Sequence, residues 1–401
     1  MKNKNWKYNK MKHKILTGLE NFSCDPPSYL KGKRLGLLAN PASVDRSFIH
    51  ASTLISRIFP NQLKAVFSPQ HGFYAEKQDN MIESDHSKIK ALNIPVFSLY
   101  SKTRVPTKEM LDLIDVLIID LQDAGTRVYT FIYTISYCLE AAAKYNKKVI
   151  ILDRPNPIGG VEVEGNITAE NCRSFVGRFP IPMRHGLTTG EISSMFNAVF
   201  GIGCSLEIIP MKGWKRKMYF NDTGLAWIAP SPNLPTTASV MVYPGQVIFE
   251  GTNISEGRGT TQPFELFGAP FMNKEKILDR VKNKISGAVL RPVCFQPTSN
   301  KWHDQVCHGF QIHVVCPDKF KPYRTSVMLL QEIIKLHRDH FQWKQPPYEY
   351  EYKKLPIDLI LGSSDVRKMI MNMEKIDSIE KSWESELIEF KEISREFHLY
   401  G

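Results

Sequence analysis

The run Tyr243–Pro270, YPGQVIFEGTNISEGRGTTQPFELFGAP, gathers Glu250, Asn253, Ser255, Glu256, Arg258, Thr260 and Thr261 among glycines. It is too polar for a core strand and too glycine-rich for a stable helix, so a loop is expected. Two carboxylates, an arginine and pliant backbone this close together suit a site that grips a polar ligand. An ordinary solvated loop is the other reading. Carboxylate pairs flanked by amides and aromatics suit glycoside cleavage, where one acid protonates the leaving oxygen and a second group activates water or attacks the sugar. Arg258 or Arg127 could bind a substrate carboxylate bidentately. The chain has no G-x-S-x-G elbow and no other sign of an activated serine or cysteine.

Residues of this kind need a frame, and the N-terminal half supplies a recurring unit. Short apolar runs end in polar or small residues at Asn40, at Gln70 and His71, at Tyr100, at Gln122 and Asp123, and at Asp153, Arg154 and Asn156. Runs so short and so apolar read as strands buried on both faces of a parallel sheet. Helical patterns around 47–59, 107–114 and 129–145 lie between them. The alternation predicts βαβ units and a doubly wound α/β sheet, whose ligands bind beyond the carboxyl ends of the strands. No G-x-G-x-x-G follows the first strand and no P-loop motif occurs, so neither a dinucleotide nor a triphosphate cofactor is expected.

Further on, Thr188-Thr189-Gly190-Glu191 reads as a capping box opening a helix to about Phe200, which makes Glu191 structural. The 211–237 stretch reads as a long loop whose Trp214 and Trp227 could wall a sugar-sized cleft. A boundary falls near 270–275, giving a basic tail over 1–20, an α/β domain over 21–272 and a smaller α+β domain over 273–401. In the last, strands are expected at 289–295 and 309–315, and helices at 274–284, 323–337, 363–373 and 376–398.

Composition narrows the class. The 401 residues carry a net charge of +11, but the basic residues are scattered except for the lysines of the first 14, which read as a solvated end. No nucleic-acid partner is inferred. No apolar segment is long enough to span a membrane, and no apolar stretch follows the first lysines as a signal peptide requires, so a cytoplasmic location is expected. Seven dispersed cysteines without a C-x-x-C pair fit a reducing compartment. His303, Cys307, His308 and His313 match no zinc spacing, and no metal is expected.

The chain resembles, over nearly its whole length, the exo-β-N-acetylmuramidase family of bacterial glycoside hydrolases. The resemblance rests on DLQDAGTRVYTF at 120–131, LDRPNPIGG at 152–160, RHGLTTGE at 184–191, SPNLPT at 231–236, EGTNISEGRGTTQPFELFGAP at 250–270 and PPYEYE at 346–351. It implies a cleft between a Rossmann-like domain and a smaller C-terminal domain. It also implies release of terminal N-acetylmuramic acid from the non-reducing end of peptidoglycan fragments. The lactyl carboxylate of that sugar would account for an arginine in the site.

One departure matters. Where the family commonly has PEHG, this chain has Gln70 in PQHG, and an amide has no proton to give as an acid. Glu76, six residues on, is a candidate replacement. The candidate catalytic groups are therefore Glu250, Glu256, Glu76 and His71. The candidate substrate-binding groups are Asn40, Gln70, Asp123, Arg127, Tyr129, Asn253 and Arg258. A non-catalytic saccharide-binding protein is the alternative that Gln70 raises.

Overall fold

The computed structural model describes residues 15–75, 77, 82–83, 86–89, 92–101 and 103–401. The strands are β1 (Leu35–Ala39), β2 (Leu63–Ser68), β3 (Ser87–Ile89), β4 (Ile94–Ser98), β5 (Val116–Asp120), β6 (Lys148–Leu152), β7 (Glu164–Ile167), β8 (Pro182–Arg184), β9 (Ser205–Ile209), β10 (Leu266–Ala269), β11 (Ala288–Phe295) and β12 (Cys307–Val314). The large sheet has the order β3-β4-β2-β1-β5-β6-β9, with all neighbours parallel except the antiparallel edge strand β3. β1 and β5 are buried at every position, as expected of central strands covered by helices on both faces. The helix Phe131–Lys144 follows β5, and its apolar side chains join Leu117, Ile119 and Ile151 in the main core.

The smaller sheet, β10-β12-β11, is antiparallel and packs with the helices of the C-terminal half. The expected boundary at 272 falls just after β10, which pairs with β12 of this sheet. The helix expected over 376–398 is two helices, Ile376–Lys381 and Glu384–Arg395, separated at Ser382 and Trp383. The short helix Pro356–Leu361, the hairpin β7–β8 and the edge strands β3 and β9 have no counterpart among the sequence expectations.

The expected loop at 243–270 begins differently. Tyr243–Gln246 is the last turn of the helix Thr237–Gln246, and Val247–Gly251 continues as a 3₁₀ turn. Glycine is tolerated there because of a close approach: a Cβ on Gly245 would lie 2.0 Å from the carbonyl oxygen of Pro322, which begins the helix Pro322–Leu336. Packing against that helix outweighs the low intrinsic propensity of the segment.

Candidate active site

Five segments converge beyond the carboxyl ends of β2 and β5. A narrow cavity of about 450 Å³, open mouth included, is lined by Gln70 and His71 after β2 and by Tyr129 and Thr130 after β5. Ser231 and Asn233 come from the long loop, and Tyr243, Glu250, Arg258 and Phe264 from the glycine-rich segment. Tyr348 and Glu349 come from the C-terminal half, so the cavity lies where the two halves meet.

Glu250 sits in the 3₁₀ turn and is buried. Arg258 Nη2 donates to its Oε1 at 2.6 Å, and the Tyr348 hydroxyl donates to its Oε2 at 2.7 Å. Burial raises its pKa, but the Arg258 charge and these donors outweigh burial and hold the carboxyl below its ordinary range. Glu250 is therefore ionised at neutral pH.

Glu349 is the counterweight, and sequence reasoning missed it. Tyr348 and Glu351 exchange backbone hydrogen bonds of 2.9 Å around a two-residue turn, in which Glu349 has φ +47° and Tyr350 φ +66°. Turns of this kind favour Asn-Gly, so Glu-Tyr gives no turn signal in the sequence. The conformation is unfavourable for side chains of this size, and such strain clusters at functional sites. Glu349 Oε2 accepts from the Tyr100 hydroxyl at 2.6 Å and Oε1 accepts from Gln70 Nε2 at 3.3 Å. Burial raises its pKa, against the pull of those two donors and of the more distant Arg104 charge, and among the described residues no cation pairs with the carboxyl as Arg258 pairs with Glu250. The only prior clue was an acid between two tyrosines in the PPYEYE block.

Gln70 has a fixed amide orientation. Thr130 Oγ1 donates to its Oε1 at 2.7 Å, leaving the NH₂ group to face Glu349. The amide thus contacts the Glu349 carboxyl group. His71 adopts φ +76°, and its Nδ1 lies 2.7 Å from the carbonyl oxygen of Lys77. A carbonyl only accepts, so Nδ1 carries the proton. Burial lowers the His71 pKa to about 4, which leaves the ring neutral with Nε2 as an acceptor.

Arg258 is held by two carboxylates, with Nε 3.2 Å from Glu256 Oε1 and Nη2 on Glu250. Its buried Nη1 has no hydrogen-bond partner among the described residues. A fixed guanidinium with an unmet N–H at a cavity wall suits a ligand carboxylate.

Several candidates stand elsewhere. Glu256 does not line the cavity; Lys301 Nζ binds it at 2.7 Å and Arg258 from the other side, which consumes its charge in fixing the loop. Arg127 is fully buried and donates to the carbonyls of Asn166, Ile181, Ile360 and Leu361, so it cannot also clamp a substrate. Asn253 binds the backbone of His340 and Gln342. Asn40 folds back on Ala42 and Ser43 within its own turn. Asp123 accepts from Gly125 N at 2.6 Å and faces His185, with its other oxygen unpartnered, but it does not line the cavity. Glu76 lies outside the described residues. Trp214 packs on Ile15 and Met211, and Trp227 borders a different recess; the aromatic walls are Tyr129, Phe131, Tyr243, Phe264 and Tyr348.

Other strand-end polar groups brace the frame. Arg154 pairs with Asp120, Nη2 to Oδ2 at 2.8 Å. Asp153 accepts from Thr188, Gly190 N and Tyr400. Glu191 completes the expected capping box with Thr188. Among the described residues no three His, Cys, Asp or Glu side chains group as metal ligands, and no helix is long and apolar enough to cross a membrane.

Comparison with known proteins agrees with the motifs. The models for the N-terminal and C-terminal parts of exo-β-N-acetylmuramidase NamZ match residues 35–238 and 241–400. The chain belongs to the exo-β-N-acetylmuramidase family. It is 39% identical over 390 residues to the peptidoglycan β-N-acetylmuramidase NamZ of Bacillus subtilis, covering 97% of this chain and 92% of that one. Two DUF1343 family proteins of Bacteroides fragilis have similar crystal structures. One has a TM-score of 0.85 at 35% identity, covering 98% of this chain and 100% of its own. The other has a TM-score of 0.76 at 28% identity, covering 96% and 99%. Family membership and the α/β architecture thus rest on nearly the whole length of the chain.

Proposed function

We propose that this protein is an exo-acting glycoside hydrolase that releases terminal N-acetylmuramic acid from the non-reducing end of peptidoglycan fragments. The observation that carries the catalytic reading is a pair of carboxyl groups in one cavity with opposite pKa shifts, Glu250 down and Glu349 up. Such a pair divides acid from base work. Glu349, the group kept closer to protonated, donates to the glycosidic oxygen. Glu250 stays ionised and stabilises positive charge developing at the anomeric carbon, or engages that carbon or its water. Arg258 Nη1 takes the lactyl carboxylate. His71 Nε2 accepts from a sugar hydroxyl. Tyr129 and Tyr243 supply apolar faces for the ring.

The test is release of N-acetylmuramic acid from a chromogenic muramide and from a muramic-acid-terminated disaccharide. A disaccharide terminated by N-acetylglucosamine, which lacks the lactyl group, serves as control. Hydrolysis of the muramides alone is expected. Equal hydrolysis of both would refute the role of Arg258.

Gln70 favours a second reading, a saccharide-binding protein without catalysis. In that case muramides bind, but no sugar is released at any pH. A cytoplasmic location, where imported fragments would be the substrates, is part of the proposal. Seven unpaired cysteines, four of them buried, support it. Cell fractionation tests it, and recovery outside the cytoplasm would refute it.

A further inference from the structure

A second cleft shares no lining residue with the catalytic cavity. It lies between the hairpin β7–β8 and the last two helices and holds about 1200 Å³ of empty space, open solvent included. Its floor carries Glu164 and Arg184, which face each other across the hairpin. Both are more than nine-tenths buried, with relative exposures of 8% and 2%. Each keeps one polar atom without a hydrogen-bond partner among the described residues, Glu164 Oε2 and Arg184 Nε.

Opposite charges on neighbouring strands would be expected to pair, but other bonds hold them apart. Glu164 Oε1 accepts from the backbone N–H of Arg324 at 2.8 Å, where it caps the helix Pro322–Leu336. Arg184 Nη2 donates to the carbonyl of Ile158. An anion acceptor and a cation donor, each without a partner among the described residues, thus stand on register-paired positions of the hairpin. Burial holds Glu164 above the usual carboxylate range, against the pull of the Arg324 N–H and of the Arg184 charge. Trp383, Leu387 and Ile388 give the cleft an apolar side.

We infer that this cleft binds an α-amino acid unit. Its ammonium group meets Glu164, its carboxylate meets Arg184, and an aliphatic side chain lies against Trp383 and Leu387. Buried polar groups seldom remain unmatched, and a ligand bearing both charges on one carbon satisfies the two together. The inference does not depend on the muramidase reading.

The test is calorimetric titration of the whole chain with leucine, N-acetylleucine, leucinamide and alanyl-leucine. Leucine is expected to bind, and each blocked derivative to bind at least ~10-fold more weakly, because each leaves one buried group unmet. Equal or tighter binding of alanyl-leucine, whose ammonium and carboxylate lie on different residues, would overturn the inference. Ile388→Trp, at an exposed position of the cleft, should abolish binding and leave muramide hydrolysis unchanged. No binding of leucine in the millimolar range, equal binding of the blocked forms, or full binding by Ile388→Trp would each overturn the inference. Failure of muramide hydrolysis would leave it standing.

Discussion

Glu349→Gln separates the work of Glu349 in catalysis from its work in stability. The substitution keeps shape and removes the proton. General acid catalysis contributes ~10²–10⁴-fold in rate, so kcat on a muramide should fall by about that much while KM changes little. Stability should respond differently. The Tyr100 hydroxyl can still donate to the amide oxygen at position 349, whereas the 3.3 Å bond from Gln70 is lost or weakened. That loss costs about 0.5–1.5 kcal/mol. Against it stands the removal of a buried ionisable group. Because the folded-state pKa of Glu349 lies above its unfolded value, the folded parent binds the extra proton, and parental stability declines as pH rises from the ordinary carboxylate range through the folded pKa. The amide has no such decline. Chemical denaturation across pH should therefore show Glu349→Gln gaining on the parent with rising pH, and the parental kcat should have an alkaline limb that the variant lacks. A variant with more than half of parental kcat would refute the acid assignment. A stability difference that does not change with pH would refute the raised pKa.

Arg258→Lys should keep a positive charge beside Glu250 but lose the fixed fork, raising KM for muramides ~10-fold or more without a like effect on the N-acetylglucosamine control; parental KM would count against Nη1 as the carboxylate donor. Arg127→Met removes a donor from four buried carbonyl groups, of which Leu361 keeps a second from Asn166 Nδ2, and should cost at least ~3 kcal/mol in denaturant unfolding, with kcat per folded molecule unchanged. A large kcat loss in a fully folded Arg127→Met would restore a substrate role. Gln70→Glu places a second carboxyl within contact of Glu349, so ionising both becomes costly and the alkaline limb of kcat should move to higher pH; an unmoved limb would show that position 70 does not act on Glu349. Activity should persist in EDTA, and a loss restored by a divalent ion would contradict the metal-free reading.

The central strands were legible because burial on both faces leaves a continuous apolar run, and β1, β5 and β6 lie within a residue of their expected bounds. The expected rim position of Gln70 and His71 followed from the same logic. The edge strand β9 was not legible: it is only half-buried, and Ser205–Ile209 carries Glu207 on it. The helix Thr237–Gln246 was hidden by Pro244 and Gly245, whose place is explained by the approach of another helix, which a linear reading cannot see.

At the site, residue types were legible but assignments were not. Charge alone cannot distinguish Glu250 at the cavity wall from Glu256, six residues on, whose carboxylate is occupied by Lys301 and Arg258. Burial alone hides that Arg127 serves backbone carbonyls away from the cavity while Arg258 lines it. Glu349 was least legible because its backbone contradicts its sequence: two consecutive left-handed residues with no glycine or asparagine. His71 shows the same conflict at the end of β2. Local preference and tertiary structure agree along the sheet and disagree at the cavity, and a protein tolerates such disagreement where function offsets the cost. By that reasoning the strained turn at 349–350 is retained for where it aims a carboxyl group, and Gln70, with its amide locked by Thr130, is retained for what it holds in place.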